Sequence, residues 1–300
     1  MKWCVCIAIA ACGKDAPSPS PSPSPAAPGD KPWTCEPLPF AVSTPVPEAS
    51  AAAWWKLDGK DRLVVVGDSG RHGAYGIIDP ETGETGEQGK LPLGDGGDDL
   101  EGLSAFGGRL YGLTSSGWMR VWERRGDTFA LVDGPYAIGE GDMICGKDRS
   151  NCARDYEGLC LHRDTNGGAC AGYVASRTDG TLYCLALGDD HLFHVDRARA
   201  IPIVARKGVV ADCTYDDADN LWVGNNLFGL SQVYRIEHDK PVPIAQIGTG
   251  FPEVIAVRAA SDAAQTDLMT RGRGDIIWRM SDAGGAPSLM SKFRCSPPAR

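Results

Sequence analysis

Asp99-Leu-Glu-Gly-Leu103, followed by Arg109-Leu-Tyr-Gly-Leu113 and Trp118-Met-Arg-Val-Trp-Glu123, is the stretch on which the fold turns. An acidic start, a short apolar run, a polar gap and further short apolar runs read as successive β-strands joined by turns. The pattern returns at Asp155-Tyr-Glu-Gly-Leu159, with Tyr173-Val-Ala-Ser176 and Leu182-Tyr-Cys-Leu185 behind it. Looser copies start at Glu48, Asp212 and Glu253, so that successive acidic starts are spaced by 53, 56, 55 and 41 residues. Four short strands and their turns fill such a length, and units of this kind are the blades of a β-propeller. The sequence therefore predicts an all-β fold: a single propeller of five four-stranded blades. The third unit is long enough, between Cys160 and Val210, to hold part of a sixth. A β-sandwich or barrel with coincidental spacing is the competing architecture.

Closure of the ring gives a second argument. A propeller has to join its first and last blades, because an open sheet edge invites aggregation. Cys35 opens the body and Cys295 nearly ends it. A disulfide between them closes a loop of about 260 residues, for which chain entropy gives roughly 5 kcal/mol. Cys145 and Cys152 flank a short polar loop and form the best local pair. The other four cysteines of the body, Cys160, Cys170, Cys184 and Cys213, leave their connectivity open. A zinc site is the alternative, but no C-x2-C pair occurs and no histidine is interleaved at ligand spacing.

The chain ahead of the body reads differently. Lys2 supplies a positive start, and Trp3 to Ala11 an apolar run far short of the roughly 20 residues that cross a bilayer. The run suits a signal peptide, residues 1–12. Its end, Ile9-Ala-Ala-Cys-Gly13, resembles the lipobox of bacterial lipoproteins. That resemblance implies lipid on Cys12, export, and anchoring in the cell envelope; Gly13 in place of Asp implies the outer membrane. An ordinary secretory signal with a chance cysteine is the plainer reading. Residues 13–33 carry a Pro/Ser alternation that lacks the apolar surface to fold and extends as a semi-rigid spacer. The body is assigned to residues 34–300.

The net charge is −9, with no concentrated run of Lys or Arg. Nucleic acid is thereby disfavoured as a partner. The first strand of a propeller blade lines the central channel, so Asp99, Glu101, Asp155, Glu157, Asp212 and Glu253 are candidates to converge near the axis. Crowded carboxylates repel one another unless a cation sits among them or some stay protonated. Oxygen-only ligands favour Ca²⁺ or Mg²⁺. The competing account makes them strand starts that accept backbone N–H groups from neighbouring blades.

Those D-x-E-G-L strings, with the RLYGL-type strand behind, resemble the esterase-like phytase propellers and related periplasmic propellers. The resemblance implies an exported propeller with a central acidic site, Ca²⁺ dependence and phosphoester hydrolysis. It departs in one respect: phosphate-binding enzymes need clustered Lys or Arg, whereas Arg124-Arg125, Arg197, Arg199, Arg271 and Arg273 are scattered. The first expectation is therefore a membrane-tethered module that binds a small-molecule or protein ligand without a complete catalytic constellation. The alternative is a Ca²⁺-dependent phosphoester hydrolase or esterase. A structural partner within the envelope is the third.

Lesser signals read as turns. Gly67-Asp-Ser-Gly70 matches a serine-protease tetrapeptide, but His72 is too close to serve it. Asp95-Gly-Gly-Asp-Asp99 and Asp216-Asp-Ala-Asp-Asn220 look like calcium loops without completing an EF-hand. His162, His191, His194 and His238 lack metal-ligand spacing.

Overall fold

In a computed structural model, the described residues are 33–162, 170–204, 210–227, 229–260, 274–282 and 287–298. Cys12 and nearly all of the Pro/Ser segment lie outside them, as do Arg271 and Arg273. Among the described residues, twenty strands form five four-stranded antiparallel sheets. The first blade comprises β2 (Ala49–Leu57), β3 (Lys60–Gly67), β4 (Ala74–Ile78) and β5 (Thr85–Lys90). The second comprises β6 (Leu100–Phe106), β7 (Arg109–Thr114), β8 (Trp118–Arg125) and β9 (Thr128–Ala137). The third holds β10 (Tyr156–Leu161), β11 (Gly172–Ser176), β12 (Thr181–Leu187) and β13 (Phe193–Pro202). The fourth holds β14 (Val210–Tyr215), β15 (Leu221–Leu227), β16 (Leu230–Glu237) and β17 (Lys240–Ile247). The fifth is built from β18 (Phe251–Arg258), β19 (Asp275–Asp282), β20 (Pro287–Ser296) and, on its outside, β1 (Thr34–Pro47) from the other end of the body.

The first strands of consecutive blades touch in a closed cycle: β2 with β6, β6 with β10, β10 with β14, β14 with β18, and β18 with β2. The structure is thus a five-bladed β-propeller. The long third unit is filled by β11 to β13, and no sixth sheet occurs among the described residues.

Alternation of apolar residues gives each sheet two greasy faces, and each interface between neighbouring blades holds one apolar cluster. Val64, Ile77 and Trp55 meet Leu100, Leu110 and Trp122 between the first two blades. Trp278, Met280 and Met290 meet Leu63 and Val65 where the ring closes. Buried indoles keep their N–H groups satisfied: Trp122 Nε1 donates to Pro92 O and Trp278 Nε1 to Pro80 O.

Close packing at the axis explains the glycine of the D-x-E-G-L string. A Cβ on Gly102 would lie 2.7 Å from Leu159 N, and one on Gly158 would lie 2.7 Å from Cys213 N. Both obstacles are backbone atoms of the next inner strand, which cannot swing aside. Gly102→Ala is expected to cost about 1–3 kcal/mol by overpacking, measured by urea unfolding. A variant as stable as the parent would contradict this packing.

Four disulfides occur among the described residues. Cys35–Cys295 joins β1 to β20, and Cys160–Cys213 links two adjacent inner strands. Cys170–Cys184 ties the chain just before β11 to β12, and Cys145–Cys152 closes a loop. Such a set belongs to the periplasm or the cell exterior. No helix among the described residues is long and apolar enough to cross a membrane.

Candidate functional site: the acidic mouth of the channel

Every inner strand breaks register with its neighbour near its start. The shifts fall between Ala49 and Ala51, Leu100 and Gly102, Tyr156 and Gly158, Val210 and Asp212, and Pro252 and Val254. Each is a β-bulge, which re-aims the extra residue. The residues so placed are Ser50, Glu101, Glu157, Ala211 and Glu253. Three glutamates therefore occupy equivalent positions around one end of the channel. The repeat read from sequence is off register in two blades: Ser50 stands where Glu48 was counted, and Ala211 where Asp212 was counted.

The second strand of a blade runs back toward this end, so the residue after it arrives at the same mouth. These residues are Asp68 after β3, Ser115 after β7 and Arg177 after β11. One carboxylate oxygen each from Asp68, Asp99 and Glu101 lies within 4.8 Å of the others. Asp99 is 3 % exposed. Its Oδ2 accepts a hydrogen bond from Ser115 Oγ, while its Oδ1 has no protein donor. Burial pushes the Asp99 carboxyl up to about 6; the Ser115 hydrogen bond opposes this and the neighbouring Asp68 carboxylate adds to it. Glu101 is raised well above the ordinary range, first by burial and then by Glu157, Asp68, Asp99 and Glu253.

On the third blade the balance differs. Arg177 donates from Nε to Asp155 Oδ2 at 2.7 Å and from Nη2 to Asn151 Oδ1 at 2.9 Å. Its Nη1 is 2.9 Å from Glu157 Oε1, an ion pair without hydrogen-bond alignment. Burial raises the Glu157 carboxyl, and Arg177 works against that rise. The mouth thus has a side that Arg177 partly compensates, Asp155–Arg177–Glu157, and a side made of carboxylates alone, Asp68–Asp99–Glu101.

Of the six carboxylates picked from sequence, Asp99, Glu101, Glu157 and Glu253 act on one another electrostatically, and Asp155 joins them through Arg177. Asp212 also feels Glu253, but its two oxygens are taken by backbone donors. Its Oδ1 accepts from Cys213 N at 2.7 Å and its Oδ2 from Ile255 N at 2.9 Å, stapling the fourth blade to the fifth. Asp68, Ser115, Asn151 and Arg177 were missed. The antiparallel return of the second strand could have found Asp68, Ser115 and Arg177; Asn151, in the loop closed by Cys145–Cys152, carries no such signal.

The look-alike calcium loops are built for turning the chain. Both oxygens of Asp216 are taken by Ala218 N, Asn220 N and Nδ2, and Trp222 Nε1. In the loop before β6, the carbonyls of Leu93, Asp95 and Gly97 face the fully buried Arg120 guanidinium. His72 pairs with Asp98, and His194 with Asp190. Arg124, Arg197 and Arg199 pair with Glu87, Asp142 and Asp196. Farther along the channel, Ala52, Trp54, Leu103, Ser104, Leu161 and Thr214 are among the residues around a cavity of only about 50 Å³.

No protein-family model and no curated protein sequence matches the chain. Solved structures do. The glutaminyl cyclase of Myxococcus xanthus superposes with a TM-score of 0.50 at 14 % identity, covering 89 % of this chain and 98 % of that one. Virginiamycin B lyase of Staphylococcus aureus superposes with a TM-score of 0.40 at 11 % identity, covering 87 % and 74 %. At such identity the first likeness speaks for the fold, a β-propeller, and for nothing finer.

Proposed function

We propose that this chain is an exported binding propeller, held to the cell envelope through lipid on Cys12, whose acidic mouth takes a divalent cation at Asp68, Asp99 and Glu101. The observation that carries the reading is the buried Asp99 Oδ1, which lacks a protein donor beside two further carboxylates. Three oxygens within 4.8 Å of one another are spaced as ligands of one ion held at 2.3–2.6 Å. Hard anionic oxygens with no sulfur or imidazole among them favour Ca²⁺ over softer metals. Thr34, where β1 begins, lies at the opposite end of the fifth blade from Glu253, by the β1–β20–β19–β18 register.

Calcium titration by calorimetry tests the reading. The parent is expected to bind one Ca²⁺ at pH 7.5, and Asp99→Asn to bind none. Affinity should follow pH, because the ion displaces the proton that Asp99 holds up to about 6. Below pH 6 it is expected to fall about tenfold per unit for each proton displaced. Without the ion the sign reverses. A carboxyl raised from 3.8 to about 6 keeps its proton in the folded state and loses it in the unfolded one. The Asp99 contribution therefore favours the folded state below pH 3.8 and is lost as pH rises to 6. Binding that is indifferent to pH and to Asp99→Asn would rule out this site.

A second reading is a Ca²⁺-dependent phosphoester hydrolase or esterase. One observation favours it: a carboxyl near 6 serves as acid and base around neutral pH. Against it, Arg177 is engaged by Asp155 and Glu157, and Arg71 by Glu48. Assays with phosphomonoesters, simple esters and a glutaminyl peptide, with and without chelator, decide between binding and turnover. The last substrate is prompted by the name of the Myxococcus neighbour. Chelator-sensitive turnover lost in Glu101→Gln would establish the enzyme.

A further inference from the structure

The loop closed by Cys145–Cys152 touches both sides of the acidic mouth through one residue. Asn151 N donates to Ser115 Oγ at 2.9 Å, and Ser115 Oγ donates to Asp99 Oδ2. The Asn151 side-chain Oδ1 accepts from Arg177 Nη2 at 2.9 Å, and Arg177 pairs with Asp155 and Glu157. Asn151 makes both contacts from a left-handed backbone conformation, φ 49°, which asparagine tolerates better than most residues. The same loop holds the approach to Asp99 a second time, since Lys147 O accepts from Gly97 N at 2.7 Å. Its near end is fixed by Cys145 O, which accepts from Trp118 Nε1 at 2.8 Å.

The disulfide that shapes this loop is the accessible one. Cys160, Cys184, Cys213 and Cys295 are at most 2 % exposed, so each of the other three bridges has a buried half. Both Cys145 and Cys152 are part-exposed, at the ends of a loop whose intervening residues are mostly exposed.

We infer that Asn151 is a positioning residue for the acidic mouth and that thiol–disulfide exchange at Cys145–Cys152 regulates the affinity of the mouth for its cation. The inference rests on the reading of Asp68, Asp99 and Glu101 as the cation site. The chemistry needs only a dithiol: one of its thiolates attacks a sulfur of the bridge, and the second displaces the mixed disulfide. Cys145 and Cys152 leave as two thiols, reduced by two electrons and two protons, and the dithiol becomes a cyclic disulfide. Once opened, the loop no longer fixes Asn151, and Asp99 and Arg177 each lose one anchored partner.

The test uses the whole chain and three forms of it: parent, Cys145→Ser with Cys152→Ser, and Asn151→Gly. The glycine variant keeps the N–H bond to Ser115 and the left-handed backbone but loses the contact to Arg177. Two readouts are taken: Ca²⁺ affinity, and amide hydrogen exchange across residues 97–101 and 155–158. The double serine variant is expected to bind Ca²⁺ about tenfold more weakly, as when a partner of a metal ligand is removed, with faster exchange in both segments. Asn151→Gly is expected to speed exchange mainly at 155–158. Exchange in both segments equal to the parent's overturns the inference. Should the parent bind no Ca²⁺, the cation reading fails, while the exchange data still decide whether the loop holds the mouth. If the double variant does not fold, parent protein briefly treated with dithiothreitol replaces it. Mass mapping is then expected to show Cys145 and Cys152 reduced first, and reduction of any other bridge first overturns the inference.

Discussion

Replacing Cys35 and Cys295 with serine is expected to lower the unfolding free energy by about 5 kcal/mol, the largest loss available from any single bridge in this chain. The pair spans 260 residues, so its removal frees nearly the whole body in the unfolded state. It also loosens the one strand that is not contiguous with its blade. β1 reaches the fifth blade from the opposite end of the chain and pairs there with β20, Thr34 to Ser296 and Cys35 to Cys295. Without the bridge the ring is shut by that ladder and by the inner cycle of β18 against β2. For a body of this size the loss corresponds to a fall in melting temperature of about 10–20 °C. The control is the bridge between Cys145 and Cys152, separated by only 7 residues, for which the same relation gives about 2 kcal/mol. If the two variants lose equal stability, closure at β1–β20 does not hold the ring.

Glu101→Gln is expected to act in opposite directions with and without the cation. Glu101 is buried among Glu157, Asp68, Asp99 and Glu253, and its carboxyl is raised well above 4.5. At pH 7 without cation, folding must either take up a proton or crowd these charges. The amide removes that cost, so the variant should resist denaturant better than the parent in the presence of chelator. As pH falls below 4.5 the carboxyl is protonated in both states and the advantage should vanish. With Ca²⁺ at 100 times its dissociation constant the parent should gain about 2.7 kcal/mol, and the variant nothing. Lower stability of Glu101→Gln in chelator would mean that the charge is already neutralised within the protein.

Much of this architecture is legible in the residues because the physics repeats. Each blade needs an apolar first strand at the axis, and Asp99-Leu-Glu-Gly-Leu103 and Asp155-Tyr-Glu-Gly-Leu159 record two needs at once. Gly102 and Gly158 admit the next inner strand, and Glu101 and Glu157 occupy the bulge. The blade count was harder to read. Extra length in the third unit lies in the chain between and around β11 to β13, and length alone does not separate loop from blade. The bulge was not legible either. It adds one residue to the inner strand at a place that sequence does not mark, so Glu48 and Asp212 were counted as equivalents of Glu101 although Ser50 and Ala211 hold that place. Asp68 was hidden inside Gly67-Asp-Ser-Gly70, a tetrapeptide that draws the eye to its serine. Only the return of β3 along β2, pairing Gly67 with Ala49, carries Asp68 to Asp99.

Anomalous diffraction from crystals grown with Tb³⁺, an oxygen-seeking stand-in for Ca²⁺, tests the site most directly. The account predicts one strong peak within bonding distance of carboxylate oxygens of Asp68, Asp99 and Glu101, absent from Asp99→Asn crystals. Peaks confined to exposed acids such as Asp142 or Asp190, with none at the channel mouth, would contradict it.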